Sequence, residues 1–462
     1  FGVAASMDKI PSISQLLEMQ PLKQLAGTVS RSTLAAKVGA YLEPYQRRFT
    51  DSRGNFQMPS MQKLAVEISQ WITGERGDAN PFVINGSGRL LSPELTRAPL
   101  PEETLATLFQ YARDYHLVSE PNGAGEEESV RLLRQLTGAE DALVLGSRRA
   151  AQRMAIEAFH TDKPISISRS QMGQTFDGIH LPGLFESATA QVRELGAVNQ
   201  TVLGEFVSGA REVGGGVVWF EETNYEQKRS TPQPSFVDVA KACGGESIPL
   251  LCDLGLGGPR IDETHEKFAI LSAQQALQHG AQGVVMAGHF LCGGPECGIV
   301  LGSREFVQRA RAQADALYAR ASNLTLILLA ASLRILASEE RISDRIPLLS
   351  LATTSVENLQ LRADSIAQRV SVHPGISSAS AIHRTCQVLP GGAELPSVAI
   401  SLQPTPEAYE AIRHSLSLAP SPVSYLEING ALVIDLRGIF PRQDTRIVDK
   451  LLDTPDAQKP HQ

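Results

Sequence analysis

From Ile10 to about Thr73 the apolar residues recur at helical spacing, first as Leu16, Leu17, Leu22 and Leu25, then as Leu64, Ile68, Trp71 and Ile72, without strand-like alternation. A small helical unit over residues 1–78 is predicted. From Phe82 to about Arg334 the pattern changes to short β-rich runs separated by stretches long enough for a helix. Ala142–Leu145, Ile165–Ile167, Gly216–Phe220, Ile248–Cys252, Gly283–Met286 and Gly298–Leu301 read as buried strands. This alternation predicts an α/β unit over residues 79–335, a mostly parallel sheet with helices on both faces. Residues 336–462 open with one long helical stretch, followed by a strand at Val398–Leu402, a helix near Pro406–Ser417 and a strand at Val423–Glu427. Asn429-Gly430 then turns the chain tightly into Ala431–Leu436, which predicts a small α+β unit.

In open α/β sheets ligands sit at the carboxyl ends of the strands, so the residues just after each run are the candidates for chemistry. Asp253-Leu-Gly-Leu-Gly-Gly258 follows one run and Ala287-Gly-His-Phe-Leu-Cys-Gly-Gly-Pro295 another. Gly146-Ser-Arg-Arg149 lies at a strand-to-helix junction, where backbone N–H groups and the helix dipole favour an anion such as a phosphate. An Asp in Asp253's position also commonly caps the next helix. The chain has no Gly-x4-Gly-Lys-Ser/Thr loop, no Gly-x-Ser-x-Gly elbow and no His-Glu-x-x-His pair. Cys292 and Cys297 lack the second pair or spaced histidines of a zinc site, so no metal is expected.

Charge and composition narrow the classes further. Lys plus Arg is 42 against 50 for Asp plus Glu, a net charge of -8, which argues against a protein that coats nucleic acid over its whole surface. Residues 1–80 alone carry nine basic against seven acidic residues. Five scattered cysteines fit a reduced, cytoplasmic setting, and no apolar run is long enough to span a bilayer. Phe1–Met7 is too short for a signal peptide, and Met7 is a candidate native start.

Taken together, the residues Ile10–Leu17, Ile84-Asn85, Gly88, Arg97-Ala98, Leu136–Asp141, Ser168-Arg169, Asn199–Thr201, Thr223–Tyr225, Asp253–Gly255, Gly293–Pro295, Gly298–Gly302, Leu395–Ser397 and Asp435–Arg437 resemble bacterial selenocysteine synthase, the L-seryl-tRNA(Sec) selenium transferase family. The resemblance implies a fold-type I pyridoxal-phosphate-dependent transferase fold, a homodimer that can assemble into a ring of dimers, and an N-terminal domain gripping tRNA. It implies a reaction converting seryl-tRNA to selenocysteinyl-tRNA with selenophosphate. Such chemistry needs a lysine for the resting imine and a carboxylate to keep the cofactor's ring nitrogen protonated.

The family's carboxylate corresponds to Asp253, but its Schiff-base lysine corresponds to Phe290, preceded by His289 in place of an Asp. No lysine lies between Lys267 and Lys450, so Lys228, Lys241 or Lys267 could substitute only by reaching in from another loop. The resemblance places Ser147, Arg148, Arg149 and Asn224 at the cofactor, and Arg97, Arg169 and Arg320 at substrate or bound anions. His289 is the catalytic candidate beside Phe290, as a general base, and reads more readily as a core histidine; by residue type alone Arg97 and Arg320 read equally as interface ion pairs, and Arg148 and Arg149 as solvent-facing. Three functions follow. One is a homologue that has lost covalent pyridoxal-phosphate catalysis and serves in binding or regulation; another is an active transferase or lyase using a different lysine or a noncovalent cofactor; the third is a tRNA-binding module.

Overall fold

The computed structural model describes residues 11–25, 30–51, 60–72, 82–92, 94–95, 97–115, 124–160, 162–221, 234–260, 268, 270–338, 340–388, 393–418 and 421–454. Seven strands form the larger sheet: β1 (Asp141–Leu145), β2 (Ile165–Ser168), β3 (Val192–Leu195), β4 (Val217–Phe220), β5 (Leu250–Asp253), β6 (Gly283–Ala287) and β7 (Gly298–Gly302), in the order β1-β7-β6-β5-β4-β2-β3. β7 runs antiparallel to both β1 and β6, and the remaining neighbours pair in parallel. Because side chains alternate across a strand, each central strand feeds two cores. Cys252, Val284, Met286 and Ile299 point into one cluster, Leu251, Val285 and Val300 into the other. A sheet buried on both faces has no polar side, which is why its strands read as continuous apolar runs.

All six strands expected in this region are present. β3 was not predicted: its sequence, Val-Arg-Glu-Leu, lies at a sheet edge with Arg193 and Glu194 exposed, so it carries no apolar signature. β5 ends on Asp253 itself, so the carboxylate belongs to the last strand position and not to the turn after it.

Packing around the long C-terminal helical stretch also differs from the sequence reading. Helices Ile342–Arg345, Pro347–Thr353 and Val356–Val370 replace a single helix, because Pro347 can start a helix but not continue one. Leu336, Ile342, Leu349 and Ala352 pack into the core of the larger sheet. A second, antiparallel sheet follows, in the order β10 (Leu426–Ile428), β11 (Ala431–Asp435), β9 (Glu394–Pro404), β8 (Ile376–Gln387). β8 escaped prediction because this edge strand is built mainly of Ser, Ala and Thr, with little apolar contrast between its faces. Asn429 and Gly430 both adopt positive φ, 50° and 81°, the conformation a two-residue hairpin turn requires. Ile84 joins the core of this sheet and bridges to Val423, so the chain entering the large unit is pinned to the small one.

The N-terminal residues form helices Ile13–Leu17, Gln20–Leu25, Arg31–Asp51 and Met61–Ile72, whose Leu16, Leu22, Leu34, Val38, Leu64 and Ile68 make a separate cluster. Among the described residues no helix is long and apolar enough to cross a membrane.

Candidate functional site

The site is built where the helix Arg148–Phe159 starts against the carboxyl end of β5. Ser147 caps this helix through its hydroxyl, which accepts from the Ala150 N–H at 3.2 Å. Gly298 on β7 lets the helix sit close: a Cβ there would lie 2.3 Å from the Ser147 carbonyl oxygen and 2.6 Å from the Ala151 Cβ. The close approach aims Arg148 into the protein. Its side chain, 2% exposed, donates from Nη2 to Asp253 Oδ1 at 2.8 Å and from Nη1 to Asp177 Oδ1 at 3.0 Å. Gln152, one helical turn later on the same face, donates from Nε2 to Asp253 Oδ2 at 2.6 Å, and the Gly255 N–H donates to Oδ1 at 2.8 Å. Asp253 is thus a buried carboxylate with both oxygens engaged.

The turn between β6 and β7 covers the other side. Phe290 is 2% exposed, its ring edge-on to Phe176 at 5.8 Å between centroids and 4.2 Å from the His289 ring. Beside Asp253 there remains a cavity of about 10 Å³, lined by Gln152, Ile156, Val218, Phe220, Leu251 and Val285 and sized for about one water. His289 is buried, and its Nδ1 has no hydrogen-bond partner. Burial above all, with the Arg148 cation adding, lowers its pKa to about 4; Asp177 and a hydrogen bond to the Cys297 backbone oppose that shift. His289 is therefore a buried histidine, neutral near neutral pH.

This shift has a pH signature. Between about pH 6.5 and 4 the unfolded chain takes up a proton that the folded chain refuses, so His289 costs stability as the pH falls through that window and nothing above it. Wild-type protein should lose about 2 kcal/mol more than His289→Asn between pH 7 and pH 5. Denaturant titrations of both proteins at the two pH values check this, and parallel losses would refute it.

The structure brings Arg148, Asp253, His289 and Phe290 together, with Arg97 at the edge: the Ala98 N–H bonds the His289 carbonyl at 3.2 Å and Arg97 itself is exposed. The other candidates lie elsewhere. Arg149 points to solvent, and Arg169, just after β2, forms an exposed pair at 2.7 Å with Glu194 on the neighbouring edge strand β3. Arg320 is held by Glu126 at 3.0 Å and by Asp315, so internal carboxylates take the place of the anion expected there. Asn224, Lys228 and Lys267 lie outside the described residues; Lys241 is exposed on the helix Phe236–Gly245. Asp177, Gln152 and Phe176 were missed. The Arg148–Gln152 spacing could have revealed Gln152, whereas Asp177 and Phe176 come from an irregular loop that carries no periodic signal. All five cysteines are buried and free, and burial raises Cys292 to about 12, the behaviour of inert core thiols. Among the described residues no group of three His, Cys, Asp or Glu side chains could hold a metal ion.

These residues do not fit pyridoxal phosphate as the resemblance requires. The position for its amine holds a phenyl ring packed in the core, and the carboxylate for its ring nitrogen already pairs with an arginine.

Comparison with known proteins gives a consistent family signal. The family model described as L-seryl-tRNA selenium transferase matches residues 83–440. Proteins named L-seryl-tRNA(Sec) selenium transferase are similar along most of the chain. The one from Carboxydothermus hydrogenoformans is 26% identical over 369 residues, 78% of each chain. That from Geobacter metallireducens is 27% identical over 379 residues, 78% of this chain and 79% of its own. That from Yersinia enterocolitica is 28% identical over 378 residues, again 78% of each. A solved structure of D-glucosaminate-6-phosphate ammonia-lyase superposes with a TM-score of 0.61 at 14% identity, covering 86% of this chain and 98% of the other. The fold is the fold-type I arrangement expected from the sequence.

Proposed function

The chain belongs to the L-seryl-tRNA selenium transferase family, and from that premise we propose that it is a member without covalent pyridoxal-phosphate chemistry, acting in binding or regulation rather than as a selenium transferase. The observation that carries this reading is what stands at the lysine position and at the retained carboxylate. Phe290 stands where the family's lysine would be, and the Arg148 guanidinium lies 2.8 Å from the carboxylate retained from the family. Neither change alone decides the matter, since a lysine from another loop could serve a free carboxylate. Together they remove the nucleophile and occupy the ring-nitrogen partner.

The test is a visible absorption spectrum of the purified protein with added pyridoxal phosphate, followed by borohydride reduction and peptide mapping. No imine band and no trapped lysine are expected. An adduct on Lys228, Lys241, Lys267 or any other lysine would overturn the proposal and restore a transferase or lyase.

The ligand that this reading leaves in place is tRNA, bound by residues 1–78. Support comes from the separate core of these helices and from Lys37 and Lys63, both exposed on them. A homodimer, the family's assembly unit, is part of the same proposal. Retention of unfractionated tRNA on filters by the full chain should fall steeply between about 50 and 200 mM salt, as phosphate contacts require. Lys37→Glu combined with Lys63→Glu should weaken it at every salt concentration. Binding that ignores both salt and these charges would remove tRNA from the proposal.

A further inference from the structure

The retained carboxylate raises a physical question. A buried, ionised Asp with no cationic partner is strongly unfavourable, and in a cofactor-dependent relative the protonated ring nitrogen answers that need only while the cofactor is bound. A chain that loses its lysine, and with it the covalent hold on the cofactor, is left with an unmatched buried charge unless something else supplies the cation. We infer that Arg148 is that cation: a guanidinium built into the chain that stands in for the cofactor's ring N–H⁺ against the buried Asp253 carboxylate. This inference rests on the proposal that covalent cofactor chemistry is absent and adds the reason why the fold survives without it.

The geometry supports a replacement in place rather than an incidental ion pair. Arg148 and Asp253 are both almost fully buried, with side chains 2% and 4% exposed, unlike the half-exposed pair Arg169–Glu194. Guanidinium is flat, permanently charged and donates in its own plane, the properties a protonated pyridine nitrogen offers to the same carboxylate. Gln152 and the Gly255 N–H occupy further acceptor positions on Asp253. A second cation brought to this carboxylate would face the Arg148 guanidinium across it. Phe290 and Phe176 pack edge to face in the core on the Cys252 face of the sheet, where the lysine of the family would stand.

Two predictions distinguish this inference from the loss of the lysine alone. Arg148→Ala should vacate a slot for a flat cation, so its melting temperature should rise with millimolar methylguanidinium or with pyridoxal phosphate, while the wild type should respond to neither. Phe290→Lys alone should bind pyridoxal phosphate poorly, because Asp253 stays paired. The double variant Arg148→Ala, Phe290→Lys should bind it at least about tenfold more tightly, with a visible band and a borohydride-trapped adduct at position 290. Arg148→Ser, whose short side chain leaves the same slot open, carries the same thermal-shift test if Arg148→Ala does not fold.

Equal binding by the single and double variants would overturn the role of Arg148 while leaving the absence of covalent chemistry in the wild type intact. A wild-type protein stabilised by the cofactor without an adduct would also overturn it. A trapped adduct in the wild type would instead bring down the underlying proposal.

Discussion

Asp253→Ala is expected to lower folding stability by about 3–5 kcal/mol, because it leaves the buried Arg148 guanidinium facing an apolar methyl group. Removing one partner of a buried pair is costlier than never having had the pair, since the remaining charge has lost water together with the partner that compensated for it. Asp177, with its side chain 24% exposed, stays 3.0 Å from Arg148 and keeps the loss toward the lower end of that range. Gln152 and the Gly255 N–H lose their acceptor as well, each a buried donor left unmatched. Asp253→Asn preserves shape and one acceptor oxygen, so it should cost clearly less than Asp253→Ala; the difference isolates the charge. Guanidinium chloride unfolding followed by circular dichroism reads both. A loss below about 1 kcal/mol for Asp253→Ala would mean that the ion pair is not formed in solution.

Phe290→Ala should cost a similar amount, about 3–5 kcal/mol, because it empties a fully enclosed aromatic position. The ring touches Phe176 edge to face and stacks obliquely on His289, contacts that truncation removes. Phe290→Leu retains most of the volume and should cost less than about 1.5 kcal/mol. An open, ligand-ready pocket gives the opposite pattern, since truncating a side chain that lines solvent-filled space leaves stability nearly unchanged. Thermal and denaturant midpoints for the two variants therefore report whether position 290 is core or pocket wall.

Much of this molecule was legible from residue order. The six buried strands announced themselves because a sheet covered on both faces needs unbroken apolar runs, and Asn429-Gly430 marked its hairpin because both residues tolerate positive φ. Strand β3 and strand β8 stayed hidden, since edge strands expose Arg, Glu and Ser where central strands place Val and Ile. The loss of the lysine was equally plain in the sequence, as Phe290 stands three residues before the matching Gly293-Gly294-Pro295.

Residue order fixed which groups this protein has: an acid at the end of β5, a phenylalanine in place of an amine, and arginines scattered over several strand ends. Only the tertiary structure decided which of those arginines meets the acid. Arg148 is 105 residues from Asp253 in sequence, and nothing local separates it from Arg149, yet one is buried against the carboxylate and the other faces water. Helical rotation of about 100° per residue sends neighbours to different faces, and Gly298 lets the helix lie close enough to the sheet for the inward one to reach. Arg169 and Arg320 met carboxylates of their own for the same reason: a long-range ion pair is set by how elements pack, which spacing along the chain does not encode.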